Sequence, residues 1–260
     1  MKTWLLTGLC SLLLARGGVA ADWKAPEKPD PQVILNEARD DRRAGRFDDA
    51  LAKHIWYHRN ALKYQPGHYG VRLSFALSDW QELAGQFMPA MVALKEEREL
   101  AKANVLQGKD AFPAFHEYVA FNRVLDDEAA TKTLFADVEK QRPADAGKIY
   151  RLVEPALIRS KDYQTCGKYL KPKQDYELLL LSFRLRSDAR FAAHRAHLEE
   201  SFTKGSATLV GLLVLNERRD EATEFAHEAR REWDNAGHRK AIDDAPVSYT
   251  HLTLPTILLV

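Results

Sequence analysis

Apolar residues recur at three- and four-residue spacing along most of the chain, which is the pattern of amphipathic helices. Glycine and proline are sparse and fall at intervals between these stretches. A short alternation from Val71 to Leu77 resembles a strand, yet Trp80 and Leu83 continue a helical stripe through the same segment. The pattern therefore predicts an all-α fold of about ten helices.

The chain also repeats itself at an interval of about forty residues. Residues 44–50, Ala-Gly-Arg-Phe-Asp-Asp-Ala, return at 84–90 as Ala-Gly-Gln-Phe-Met-Pro-Ala, and weaker copies keep a small residue, some with an aromatic before it. The predicted small positions are Ala50, Ala90, Ala130, Cys166 and Ala222. We expect the glycine to end one helix in a left-handed conformation and the small residue to let the next helix approach closely.

The order of residue types in this repeat resembles the consensus of the tetratricopeptide repeat family, in which a glycine, an aromatic residue and an alanine precede a proline that closes the unit. The residues that follow this order in the first copy are Gly45, Phe47, Ala50 and Pro66. Two acidic residues depart from the family pattern, since Glu37 and Asp41 stand where the family prefers apolar and aromatic side chains. The resemblance implies a right-handed α-solenoid, in which stacked hairpins cover one another's apolar faces.

The two ends of the chain differ from this body. Residues 1–21 combine an early lysine, a short uncharged run and small residues, as cleaved secretory signal peptides do, and a buried N-terminal helix is the alternative. We expect residues 22–32 to be a linker, residues 33–240 to form the repeat domain and residues 241–260 to be a non-native or disordered tail. Within that tail, Val247 to Thr256 resembles a translated sequencing-adapter read-through, and the alternatives are an edge strand or a hydrophobic plug.

Charge and cysteine content narrow the function further. The formal net charge is +1 and falls to −1 when Lys2 and Arg16 are removed with the signal peptide. Such a protein has no net field that would gather nucleic-acid phosphates, so we expect no nucleic-acid partner. Only Cys166 remains after cleavage, which excludes an internal disulfide. We expect a periplasmic or extracellular protein with no stable membrane anchor.

His54 and His58 are the best metal candidates, because histidines four residues apart project from one face of a helix. His68 would supply a third ligand. No glutamate follows His54, so the zincin pattern is absent, and both histidines fall on or beside the buried stripe. We expect core or groove histidines and no cofactor; an enzyme using these ligands on envelope polymers is the alternative. His194 and His197 also face alike, without an acidic or thiol partner in sequence.

Other reactive groups have simpler explanations than catalysis. Cys166 would need a neighbouring base to act as a nucleophile, and at a small repeat position we expect it to pack. The acidic pairs at 48–49, 126–127 and 199–200 would suit a glycosidase, which needs two carboxyl groups across a cleft. We place them at turns and first helical turns, where acidic residues interact favourably with the helix dipole.

A binding surface is predicted more readily than a catalytic site. Aromatic residues of the first two repeats are Trp56, Tyr57, Tyr64, Tyr69, Phe75 and Trp80. They are expected to pack between helices, or to line a groove for a peptide or a sugar polymer.

The family resemblance also implies which residues would meet a partner, because the first helix of each hairpin lines the concave face in tetratricopeptide-like stacks. The residues that this geometry selects are Arg39, Arg42, Arg43, Arg72, Asp79 and Glu82. Three arginines on one helix suit a carboxylate, the C-terminus of a peptide or an acidic segment. The expected function is a non-catalytic scaffold that binds a protein or peptide in the cell envelope, and a structural assembly subunit is a further alternative.

Overall fold

The computed structural model describes residues 23–250, so the predicted signal peptide and residues 251–260 lie outside the described residues. Residues 23–250 form thirteen α-helices and three short 3-10 helices, with no strand among them. The α-helices are α1 Pro31–Arg43, α2 Phe47–Tyr64, α3 Tyr69–Arg72, α4 Phe75–Ala84, α5 Met88–Leu106, α6 Ala111–Val124, α7 Glu128–Gln141, α8 Pro143–Arg159, α9 Tyr163–Tyr169, α10 Pro172–Arg184, α11 Arg195–Leu215, α12 Arg219–Glu232 and α13 Ala236–Thr250. The all-α prediction is confirmed, with more helices than the expected ten.

The helices belong to two compact units, an N-terminal unit up to residue 100 and a C-terminal unit from residue 101. In the N-terminal unit, α2 packs along α1 and also contacts α4. The core there includes Leu35, Tyr57, Ala61 and Ala76. In the C-terminal unit, α8 packs against α6, α7 and α9, while α11 packs against α10, α12 and α13.

One turn recurs at four helix hairpins, α1–α2, α6–α7, α8–α9 and α11–α12. In each, a residue with positive φ directly precedes the N-cap of the second helix; these are Gly45 (77°), Asp126 (55°), Lys161 (61°) and Glu217 (61°). The N-cap N–H donates to a carbonyl five residues earlier, as from Arg46 to Asp41 at 2.9 Å and from Asp162 to Leu157 at 2.9 Å. This is the Schellman arrangement, and it satisfies carbonyls that the end of a helix would otherwise leave unpaired.

The turn also fixes where the two helices approach each other. The residue five positions after each positive-φ residue is buried, and these residues are Ala50, Thr131, Cys166 and Ala222. Three of them are predicted small positions. In the α6–α7 hairpin the structure places Thr131 there, and the predicted Ala130 is only half-buried. The prediction was one residue early because this turn begins at Asp126, one position later than a strict forty-residue repeat would put it.

The α4–α5 hairpin has a different turn, although its sequence is the closest copy of the first. Gly85 has a φ of −67°, so the left-handed glycine is confirmed at Gly45 and wrong at Gly85. Here the Leu83 carbonyl accepts from the N–H groups three and four residues later, at 3.0 Å and 2.8 Å, which replaces the Schellman bonds. The repeat aromatics Phe47 and Phe87 nevertheless pack together, with ring centroids 5.7 Å apart.

The boundaries of the helical part extend beyond the predicted ones. Helix α1 begins at Pro31, two residues earlier than expected, because the Asp30 side chain accepts hydrogen bonds from the first helical N–H groups. At the other end, α13 continues into the range predicted as a non-native or disordered tail, and Ile242 and Ala245 of this helix are buried.

Candidate functional site

Four of the six predicted partner-binding residues form two ion pairs between α1 and α4. Arg39 Nη2 lies 2.7 Å from Asp79 Oδ2, and Arg42 Nη2 lies 2.6 Å from Glu82 Oε2. Each pair joins residues forty positions apart, which is the interval of the sequence repeat. These arginines are therefore neutralised by acidic side chains of the following repeat before any partner arrives.

The other two predicted residues lie in opposite environments. The Arg43 side chain is 67% exposed and pairs with Asp40 of its own helix at 2.6 Å. Arg72 is buried, and its Nη1 donates to His58 Nε2 at 2.9 Å and to the His58 carbonyl at 3.2 Å. Arg72 thus stabilises the interior and does not belong to the binding surface that we predicted. We call the remaining set of Arg39, Arg42, Arg43, Asp79 and Glu82 the α1–α4 face.

The two histidines of the metal hypothesis pack against one tryptophan. His54 stacks on Trp80 with ring centroids 6.0 Å apart and planes 15° apart, and His58 meets Trp80 edge-on at 6.1 Å. Because an arginine can only donate, the 2.9 Å contact with Arg72 requires His58 Nε2 to accept, which occupies the lone pair that a metal would need.

The third histidine has its own partner, since His68 Nδ1 lies 2.9 Å from the hydroxyl of Tyr57. No group of three or more His, Cys, Asp or Glu side chains that could hold a metal ion occurs within residues 23–250. His194 and His197 both lie on the surface. The structure therefore does not bring the predicted ligands together.

His54 remains neutral near pH 7. Burial lowers the pKa of His54 to about 3, and the nearby charges of Arg39 and Arg42 act in the same direction. Its Nε2 is buried and has no hydrogen-bond partner in the described part of the protein. A proton shuttle at neutral pH requires a pKa near 7, so the low pKa and the burial of His54 favour a packing role.

The acidic residues that depart from the tetratricopeptide pattern have a partner on α2. Lys53 Nζ lies 2.5 Å from Asp41 Oδ2 and 3.3 Å from Glu37 Oε2. The Lys53 and Asp41 side chains are only 8% and 6% exposed, and Arg46 also pairs with Asp41 at 2.5 Å. Ion pairs between α1 and α2 thus stand where apolar and aromatic side chains of the tetratricopeptide consensus would make contact. Sequence reasoning missed them, although Lys53 lies between the buried positions Ala50 and His54 on the same helix.

The predicted aromatic cluster separates into core and surface residues. Tyr57 and Trp80 are fully buried, whereas Tyr64 and Phe75 are exposed. The indole of Trp56 is half-buried and stacks on the Tyr64 ring with centroids 5.8 Å apart. Trp23, which precedes α1, packs edge-on against Trp56, so that Trp23, Trp56 and Tyr64 form a partly exposed aromatic row along α2. The expected packing role therefore holds for Tyr57 and Trp80, and the aromatic groove for a peptide or a sugar polymer stays a prediction.

Cys166 lies in the interior of the C-terminal unit, as its repeat position predicts. Burial raises the pKa of its thiol to about 11, and a hydrogen bond with Tyr150 only partly opposes that shift. The nucleophilic form of cysteine is the thiolate, so this environment does not activate it.

The acidic pairs have local contacts within their own helices. Asp127 caps α7 by accepting from the Ala130 N–H, and Asp48 and Asp49 lie in the first turn of α2, as expected. The pair at 199–200 lies beyond the first turn of α11, so capping does not explain it. Glu200 instead pairs with Lys204 at 2.5 Å, one helical turn further along.

Two surface grooves in the C-terminal unit were not predicted. A groove of about 680 Å³ lies between α8, α10 and α11, and a second groove of about 830 Å³ lies between α10 and α12. Leu178 of α10 lines the first groove and is 55% exposed, and Leu181 of the same helix is 66% exposed. Because each groove joins helices distant in sequence, no contiguous motif indicates either of them.

No helix within residues 23–250 is long and apolar enough to cross a membrane. Comparisons with protein-family models, with curated proteins and with solved structures find no significant match.

Proposed function

We propose that this protein is a non-catalytic helical-repeat scaffold that binds a protein or peptide partner. The observation that supports the proposal is the recurrence of one turn at four hairpins, each followed by a buried residue at the same offset. Repeats of this kind cover one another's apolar faces and offer extended surfaces for binding. In its finer form, the proposal is a right-handed solenoid of tetratricopeptide-like hairpins, exported to the periplasm or the cell exterior.

The α1–α4 face remains the first candidate for the partner surface. A carboxylate that displaced Asp79 from Arg39 would gain a charge-assisted hydrogen bond but would leave Asp79 without its partner. The guanidinium of Arg43 is exposed, and within residues 23–250 its ion pair is with an exposed residue of its own helix, so a partner engages it at a lower cost. We therefore expect Arg43 to contribute more to partner binding than Arg39 or Arg42.

A charge-swap experiment tests this surface without removing the ion pairs between helices. The tagged protein is used to capture partners from a cell-envelope extract of the source organism, as wild type, Arg43→Glu and the double variant Arg42→Glu/Glu82→Arg. The double variant keeps the pair but reverses the direction of its charges, and Lys140→Glu on α7 is a control with an exposed side chain. Circular dichroism verifies that each variant folds.

We expect a partner that wild type and Lys140→Glu recover equally and that the two α1–α4 variants lose. Equal recovery by all four proteins would remove the α1–α4 face as the binding surface. A wild-type protein that enriches nothing over the tag alone would contradict the scaffold function itself.

A structural assembly subunit is a second candidate, favoured by exposed apolar side chains on one face of α5. Met88 and Val92 are one helical turn apart and both are exposed. Light scattering at several protein concentrations distinguishes the two functions, because an assembly subunit gains mass as concentration rises and a monomeric scaffold does not.

A further inference from the structure

The groove between α10 and α12 has an aromatic floor. Tyr176 of α10 and Phe225 of α12 are buried with ring centroids 5.4 Å apart, and half-buried Leu180 continues the floor along α10. An apolar or aromatic side chain placed on these rings would be removed from water on one side, which is the usual source of affinity in a peptide groove.

The walls of this groove are acidic. Glu177 of α10 and Glu224 and Glu228 of α12 line it, and none of the three forms an ion pair within residues 23–250. Several other acidic side chains of the C-terminal unit are paired, as Glu139 is with Lys168 and Glu232 with Arg184, and Glu221 at the edge of the groove pairs with Arg218. The groove therefore concentrates carboxylates whose charge is not neutralised by a neighbour, and such groups attract cations.

The floor tyrosine responds to the same negative charge. Burial raises the pKa of Tyr176 to about 12, and the carboxylates of Glu228 and Glu232 raise it as well, against the weaker effects of Arg231 and Arg184. The sign of the local field thus agrees with the placement of the glutamates. Two lysines, at 171 and 173, lie at the start of α10 and limit the acidic part to the remainder of the groove.

The length of the groove limits its occupant. Residues 172–180 of α10 span roughly 12 Å at about 1.5 Å per residue, and an extended peptide covers about 3.3 Å per residue, so three or four residues fit. Neighbouring side chains of an extended segment point in opposite directions. The two residues that flank a residue facing the aromatic floor therefore start away from the floor, and the long arginine and lysine side chains are the cations that can bend back to the glutamates of the walls.

We propose that the α10–α12 groove binds a short extended peptide segment in which an apolar or aromatic residue stands between arginine or lysine residues. The inference rests on the proposed scaffold function and specifies the chemistry of one partner. The central side chain packs on Tyr176 and Phe225, and the flanking cations pair with Glu177, Glu224 and Glu228.

Fluorescence anisotropy tests the groove with defined peptides on the whole protein. The probe is a labelled peptide with an arginine–phenylalanine–arginine core between glycine spacers, and its matched controls carry glutamate–phenylalanine–glutamate and arginine–alanine–arginine cores. The protein is compared with Glu224→Gln/Glu228→Gln. The control variant Asp126→Asn/Asp137→Asn removes the same formal charge from exposed positions outside the groove.

We expect the arginine–phenylalanine–arginine peptide to bind wild type and the control variant equally, and to bind the groove variant about five-fold more weakly because two exposed charge pairs are lost. The acidic peptide and the alanine peptide should bind less than the probe. Binding that both variants weaken alike, equal binding of the acidic peptide, or no binding of the probe would overturn the proposal. Self-association that Glu224→Gln/Glu228→Gln abolishes would assign the groove to a second copy of the protein.

These outcomes are separate from those of the capture experiment. A partner recovered through the α1–α4 face, together with no effect of the groove variant on the probe, would retain the scaffold function and reject the groove. Equal recovery of a partner by wild type and both α1–α4 variants, together with groove-dependent binding of the probe, would reject the α1–α4 face and retain both the scaffold function and the groove.

Discussion

Alanine in place of each of the two repeat glycines should change stability in opposite directions. Gly45 has a φ of 77°, and no heavy atom outside its neighbours lies within 4 Å of the Cβ that alanine would add. The cost of Gly45→Ala is therefore a backbone cost, with no clash. Gly85 has a φ of −67°, and its added Cβ would meet the Glu82 carbonyl oxygen at 3.5 Å, an ordinary contact.

The magnitude follows from comparing the two substitutions. A left-handed conformation costs a residue with a Cβ about 1–2 kcal/mol, a cost that Gly45→Ala incurs and Gly85→Ala does not. Both changes restrict the unfolded state in the same way, which stabilises the folded state by roughly 0.4–1 kcal/mol and cancels in the comparison. We expect Gly45→Ala to lower the free energy of unfolding, Gly85→Ala to raise it slightly, and the two to differ by about 1–2 kcal/mol.

Urea unfolding followed by circular dichroism measures both variants, and hydrogen exchange of the α1, α2 and α4 amides locates the change. Both glycines lie in the N-terminal unit, so the same transition reports on each. Equal effects of the two substitutions, or a larger loss from Gly85→Ala, would refute the assignment of opposite conformations to identical Ala-Gly pairs.

Three further predictions concern buried polar groups. Lys53→Met should lower the free energy of unfolding, measured in urea, by about 3 kcal/mol, because the buried Asp41 carboxylate is then paired with Arg46 alone. The double variant Asp41→Leu/Lys53→Met should recover most of that loss, and a double variant as unstable as Lys53→Met would contradict the prediction. As the pH is lowered from roughly 6 to 4, His54 alone should reduce the free energy of unfolding by about 1.4 kcal/mol per pH unit. The reason is that His54 takes up a proton in the unfolded state, whereas in the folded state its pKa is lowered to about 3 and it stays neutral. Stability measured against pH in His54→Phe should lack that component, and an unchanged slope would show that His54 is not its source. Cys166, its pKa raised to about 11, should react with a thiol reagent at pH 8 only after unfolding, and rapid labelling of the native protein would show that the thiol is accessible.

The hairpin turns could be predicted only where their signal is contiguous. Residues 44–50 contain the glycine, the aromatic and the alanine of one turn, so the first hairpin was located correctly. Asp126, Lys161 and Glu217 adopt the left-handed conformation without being glycine; aspartate favours it more than most residues do, but lysine and glutamate give no sign of it. At these turns the hydrogen bonds of the preceding helix compensate for an unfavourable residue type, and such compensation depends on the folded helix.

The α1–α4 face and the α10–α12 groove could be predicted only in part, because both depend on contacts between helices of different hairpins. The arginines of α1 were correctly assigned to one helix, but their partners Asp79 and Glu82 were placed on the same surface as further ligands for a partner. The groove between α10 and α12 joins segments that are distant in sequence, and it is formed by the packing of α11 on both helices and by the contact of Tyr176 with Phe225. Local periodicity identifies which side of a helix is buried, but it does not determine which charges meet across helices.

The forty-residue offset of the ion pairs gives the first two repeats a direction. The earlier copy contributes the bases, Arg39 and Arg42, and the later copy contributes the acids. The two copies are therefore not interchangeable modules: a duplicated first repeat inserted between them would place arginine opposite arginine at both positions. An array lengthened by simple tandem duplication would meet like charges at its new junction, so extension of this protein requires alternating units, with the order of bases and acids preserved at every joint.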